Sequence, residues 1–191
     1  MDRGYFGPAS PDMQIDASQP HVAVVHSFGL HLLPESFYLH LDGLVIISGF
    51  ISFNSHANAD DSFIKKMLEK LPKNTLEVLK RFYRRCGCTA ELAIPSLAIN
   101  HAPLIQDLTL LETNSFDIRK IAHIPKIVLL HGADDKIVPL EKSVELQQQL
   151  PQSKLFVNND AGHALPFTHL DWCFHIINEE VTLSKTGGLH E

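Results

Sequence analysis

The sequence predicts an α/β fold built on a parallel sheet, and three observations lead there. Short, nearly continuous apolar runs rich in β-branched residues occur at 21–26, 43–48 and 126–130. Each is followed by turn-forming residues, the pattern of strands buried on both faces of a parallel sheet. Helical periodicity occupies 28–41, 141–150 and 168–183, so that strand alternates with helix.

Taken in order, the run HVAVVH is the first strand and leads directly into the first helix. GLVIIS is the second strand and KIVLL the third. A weaker fourth, KLFV at 154–157, precedes the turn Asn158-Asn159-Asp160. One stretch breaks the alternation: from about 55 to 124 the chain reads as helices without strands. Asp60 or Asp61 can cap the first of these helices, Pro72-Lys73-Asn74 opens the second, and a third covers 104–111. A helical insertion between two core strands is the usual form of a lid over an active site. The pattern alone equally suits a plain helical excursion. The expected division is a core of 1–54 with 125–191, and a helical lid of 55–124.

At 191 residues the chain fits one domain, with 45% apolar and 20% charged residues as in globular proteins. No apolar run reaches the roughly 18 residues of a membrane span. The start, Met1 to Tyr5, lacks the apolar core of a signal peptide. The expected location is the cytoplasm, with neither membrane nor nucleic acid as partner. Cys86 and Cys88 flank a single glycine, too close for an unstrained disulfide, and no metal-spaced ligands accompany them. Neither metal nor cofactor is expected. Net charge is −6, but eight basic and two acidic residues between Lys65 and Arg85 make that segment +6 on a chain that is otherwise −12. Such an island suits docking of an anionic partner, and equally a solvated helical face.

The chemistry resides in three loops. Val25-His26-Ser27-Phe28-Gly29 ends the first strand and enters a helix, as in the nucleophile elbow G-x-S-x-G. Such a turn lifts the serine hydroxyl above the sheet and leaves the Phe28 N–H facing the reacting carbonyl oxygen. Val25 stands where the first glycine belongs, which implies a slightly opened elbow. On its own this half-match also suits an ordinary buried serine. After the third strand, Gly132-Ala133-Asp134-Asp135-Lys136-Ile137-Val138-Pro139 offers a carboxylate. The register before Val-Pro selects Asp135, with Asp134 as the alternative; a turn or cap role also suits either. After the fourth strand comes Asp160-Ala161-Gly162-His163-Ala164. His163 is singled out among twelve histidines by its loop, its order after the acid and its distance of 28 residues from Asp135. His131, His169 and His175 lack that context. The order Ser27, Asp135, His163 is that of an α/β-hydrolase triad.

These motifs resemble the α/β-hydrolase superfamily, and the chain is similar to the part that begins just before the nucleophile strand. The loop 132–139 resembles the G-x-x-D-x-x-V-P acid loop, and Gly162-His163 the histidine loop. Asp2-Arg3-Gly4-Tyr5-Phe6-Gly7 resembles the D-x-R-G-x-G segment that follows an earlier strand. The fold implied is an α/β-hydrolase fold with a helical lid, lacking the N-terminal strands and the loop that supplies a second oxyanion donor. The segment LPKNTLEVLKRFYRRCG at 71–87 resembles the lid of pimeloyl-acyl-carrier-protein methyl ester esterases of biotin synthesis, Arg81-Phe82 falling on that family's Arg-Phe pair. The resemblance implies that Phe82 contacts the acyl chain and that lid arginines, here Arg81 and Arg85, dock an acidic acyl-carrier protein. Independently, Leu79, Phe82, Tyr83 and Cys86 share one apolar helix face, beside basic rows Lys80/Arg84 and Arg81/Arg85. Phe82 as ordinary lid core fits that face equally well.

The function expected is a serine carboxylesterase acting on a small-molecule or carrier-linked acyl ester, with Phe28 and Phe82 at the substrate. Alternatives are a thioesterase or acyltransferase on the same fold, or a truncated, non-catalytic hydrolase remnant.

Overall fold

A computed structural model describes residues 16, 18–54, 63–88 and 99–181. The segment 2–7 and the caps Asp60 and Asp61 lie outside the described residues. Four strands, β1 (Val22–His26), β2 (Gly43–Ile47), β3 (Lys126–Gly132) and β4 (Lys154–Asn158), form one all-parallel sheet in the order β1-β2-β3-β4. All four runs read from the sequence are strands, within two residues at each end.

Alternation along the two central strands separates the core into two layers. Leu44, Ile46, Ile127 and Leu129 point to one face, where they pack with Leu30, Tyr38, Phe116 and Leu146. Val45, Ile47, Val128 and Leu130 point to the other, against Leu165, Cys173, Ile176 and Val181. β2 and β3 are therefore buried on both faces, as their unbroken apolar runs require. β1 is not. Its Val25 joins the first layer, but Val22 and Val24 on the opposite face are 38% and 54% exposed. The expectation of burial on both faces fails at this strand, which pairs only with β2 among the described residues.

The single helix expected over 28–41 is two short ones, α1 (Gly29–Leu32) and α2 (Glu35–Tyr38). Pro34 lacks an N–H and forces the preceding Leu33 into an extended conformation, which ends α1. Helices α3 (Phe63–Lys70), α4 (Thr75–Arg85) and α5 (His101–Thr113) follow β2 and close around Ile64, Met67, Leu71, Leu79, Leu104 and Leu108. Asn74 caps α4 by accepting the Glu77 N–H, and Arg84 and Arg85 in its last turn complement the helix dipole. α6 (Leu140–Gln149) links β3 to β4. The helix expected over 168–183 is α8 (Leu170–Val181), preceded by the short α7 (Leu165–Thr168).

Candidate active site

Ser27 leaves β1 with φ of +55°, a left-handed conformation that costs a non-glycine residue roughly 1–2 kcal/mol. Its N–H extends the β1–β2 ladder by one bond, to the Ile47 carbonyl at 2.8 Å, and the chain then turns into α1. The elbow forms with Val25 in place of glycine. Val25 is buried, and bare Gly29 stands opposite it, where an added Cβ would lie 3.5 Å from the Val25 Cβ. Among the described residues no backbone carbonyl takes the Phe28 N–H, which opens α1. The Phe28 ring stacks on His31 at 4.8 Å, and His31 Nε2 bonds the Phe50 carbonyl at 3.0 Å.

Asp135 and His163 meet across the loops that follow β3 and β4. The His163 Nδ1 lies 2.8 Å from Asp135 Oδ2, and both side chains are essentially buried. An ionised carboxylate only accepts, so Nδ1 carries the proton and Nε2 is left with its lone pair. The other carboxylate oxygen, Oδ1, accepts the N–H groups of Ile137 at 2.8 Å and Val138 at 2.9 Å. Burial pushes the Asp135 carboxyl up, but the His163 bond and charge and the two backbone donors outweigh it. Asp135 is held below the usual carboxylate range. Its neighbour Asp134 is exposed and lies 3.4 Å from the Lys136 ammonium.

Two further histidines, not assigned a role by sequence, join this pair. His131, fully buried at the end of β3, places Nε2 3.0 Å from the Val138 carbonyl and 3.7 Å from Asp135 Oδ2. Its Nδ1 lies 2.7 Å from the Ser143 hydroxyl of α6. It thus braces the far side of the acid loop. His26, beside Ser27, bonds the His163 carbonyl through Nε2 at 2.8 Å. Burial and the neighbouring His163 hold its pKa down to about 4, so it is neutral at ordinary pH. The position just before Ser27 was a possible signal for His26; nothing in the spacing marked His131.

The helical layer touches the same loops. The Cys86 carbonyl, just beyond α4, accepts the Ala164 N–H at 2.8 Å, and Arg85 Nε donates to the Lys136 carbonyl at 2.8 Å. The Arg85 guanidinium also lies over the Phe63 ring at 4.9 Å. Phe82 packs against the apolar cluster of Phe50, Cys86, Ile137, Val138 and Ala164, as does Phe28. Arg81 projects to solvent and pairs with Glu77 at 2.8 Å. Burial raises the Cys86 thiol to about 12, so it is protonated and no rival nucleophile.

Ser48 repeats the Ser27 conformation at the end of β2, with φ of +48° and its N–H on the Leu130 carbonyl at 2.8 Å. Its hydroxyl is buried without a hydrogen-bond partner among the described residues. Among the described residues no three His, Cys, Asp or Glu side chains gather as a metal site, and no helix is long and apolar enough to cross a membrane.

No family model matches the chain. A 62-residue stretch is 39% identical to 2-hydroxy-6-oxo-2,4-heptadienoate hydrolase of Pseudomonas putida, covering 32% of this chain and 22% of the relative. An 80-residue stretch is 30% identical to 2-hydroxymuconate semialdehyde hydrolase of Pseudomonas putida, covering 42% of this chain and 27% of the relative. The matched stretches thus span about a quarter of the length of these curated relatives. Among solved structures, an esterase of Exiguobacterium antarcticum superposes with a TM-score of 0.67 at 14% identity, over 84% of this chain and 66% of that one. The architecture of the described residues is accordingly the α/β-hydrolase fold.

Proposed function

We propose that the chain is a serine hydrolase in which Ser27 attacks a carbonyl, His163 is the base and Asp135 orients it. Two observations support this reading: the 2.8 Å bond from His163 Nδ1 to Asp135, and a serine held at φ of +55° on a strand-to-helix turn whose neighbour His26 bonds the His163 carbonyl. His163 Nε2 takes the serine proton, the Phe28 N–H stabilises the oxyanion, and the alcohol leaves with the proton from His163. Water, activated by the same imidazole, then releases the acid. The reaction class is carboxylic ester hydrolysis, in keeping with the esterase name of the structural neighbour. A fluorophosphonate probe should label Ser27, and Ser27→Ala should abolish both labelling and hydrolysis of p-nitrophenyl acetate. Labelling confined to another serine would refute the assignment.

The helices between β2 and β3 serve in this reading as a lid, with Phe82 beside the acyl group. The narrower substrate is the methyl ester of pimeloyl-acyl-carrier protein, supported by the lid sequence and by the +6 charge between Lys65 and Arg85. Arg81 is exposed for such a carrier, whereas Arg85 also fastens the acid loop. The test is therefore Arg81→Glu, which should slow carrier-borne ester hydrolysis far more than hydrolysis of small free esters, with the gap narrowing as salt rises. Equal losses on both substrates would remove the carrier from the proposal. A second reading is supported by the two sequence relatives: hydrolysis of a 2-hydroxy-6-oxo-dienoate. Turnover of that dienoate, followed by loss of its absorbance, against p-nitrophenyl acetate decides between them.

A further inference from the structure

We propose that His26 is a positioning residue that fastens the base-bearing loop to the nucleophile strand. This rests on the reading of His163 as the base. The sheet itself does not bring the two together. β1 and β4 are the outer strands of the order β1-β2-β3-β4, three spacings apart or roughly 14 Å. The loop after β4 must return over β3 and β2 before His163 can serve a serine at the end of β1.

One side chain spans the junction. His26 Nε2 lies 2.8 Å from the main-chain carbonyl of His163, 137 residues away in sequence. A carbonyl only accepts, so Nε2 carries the hydrogen and His26 is the donor. The two rings lie 4.8 Å apart at 40°, and Phe167 of α7 meets the His26 ring edge-on at 6.1 Å. Because His26 adjoins Ser27, this bond fixes the base relative to the nucleophile and not merely to the sheet. A neutral ring at that distance also leaves His163 free to take a proton without facing a second positive charge.

The experiment compares the full chain with His26→Phe, which keeps a ring and loses the donor, and His26→Gln, whose Nε2 amide can donate to the same carbonyl. With p-nitrophenyl acetate, His26→Phe should lower kcat by ~10²-fold, the scale of a misplacement of about 1 Å, and leave KM within about twofold. His26→Gln should recover most of the loss. Equal losses in both variants, or none in either, would overturn the proposal. A readout independent of turnover is the downfield proton resonance of His163 Nδ1–H. It should persist in the parent chain and in His26→Gln, and exchange away in His26→Phe. If the parent chain neither hydrolyses nor labels, the hydrolase reading fails and this resonance alone decides; its persistence in His26→Phe overturns the proposal.

Discussion

β1 and β3 are written in the same apolar, β-branched residues, yet the molecule treats them differently. β3 has strands on both sides and helices on both faces, and from Ile127 to Gly132 it is buried throughout. β1 pairs with β2 alone among the described residues and leaves Val22 and Val24 to solvent. Asp135, the proposed triad acid, follows the better-held strand, and Ser27 the lesser. The loop of Asp135 is tied by backbone donors, by His163 and by the brace of His131, whereas the elbow of Ser27 rests on one ladder bond and the clasp of His26. Support in this site is therefore unequal, and substitutions should expose the inequality.

The largest effect should come at the well-held acid. Asp135→Asn should reduce esterase turnover by up to ~10⁴-fold, because the imidazole loses its orienting partner and tautomer. Asp134→Asn, which touches only the exposed Lys136, should cost less than about threefold; a reversed ranking in kcat would transfer the role to Asp134. Next, Leu129→Ala in β3 removes a fully buried side chain and should destabilise the fold by about 2–5 kcal/mol in urea unfolding.

Acid should weaken the molecule through its buried histidines. Burial holds His26 at about 4 and keeps His31 and His131 below their ordinary 6.5. At His26 the unfolded chain thus takes up near pH 6.5 a proton that the folded one refuses until about pH 4, and His31 and His131 act in the same direction. This stability is complete above pH 6.5 and is lost as pH falls toward 4. Asp135, whose folded pKa is depressed, adds a loss at still lower pH. The urea midpoint should fall between pH 7.5 and 4.5, less steeply in His26→Phe; a flat profile would contradict the burial of these rings.

Smaller still, Ser48→Gly should stabilise by about 1 kcal/mol. It removes an unpartnered buried hydroxyl and relieves a left-handed serine, gains that exceed the added flexibility of the unfolded chain. Val24→Ala on the bare face of β1 should stay within about 0.5 kcal/mol, and a loss like that of Leu129→Ala would show that β1 is as enclosed as β3.

The sequence made the strands legible because a parallel strand enclosed by helices has no polar positions to interrupt it. That pattern cannot distinguish the centre of a sheet from its margin, so the exposed Val22 and Val24 carry the same signature as the enclosed valines. The divided helix at Pro34 was legible in principle, since proline ends a helix at the residue before it; periodicity alone masked the break. The Asp135–His163 bond follows from two loops whose spacing can be read along the chain. His26 and His131 could not be found that way, because each bonds a main-chain carbonyl, which every residue carries, and no motif records the Ser143 hydroxyl that His131 also meets.

The Cys86 carbonyl that accepts the Ala164 N–H has a consequence for how a substrate enters. The end of α4 holds the histidine loop at Ala164 and the acid loop at Lys136. In the lid reading proposed above, an outward swing of α4 would break both bonds at once and loosen the two loops together. Under that reading the open form would be unarmed, and closure over a bound molecule would rearm it.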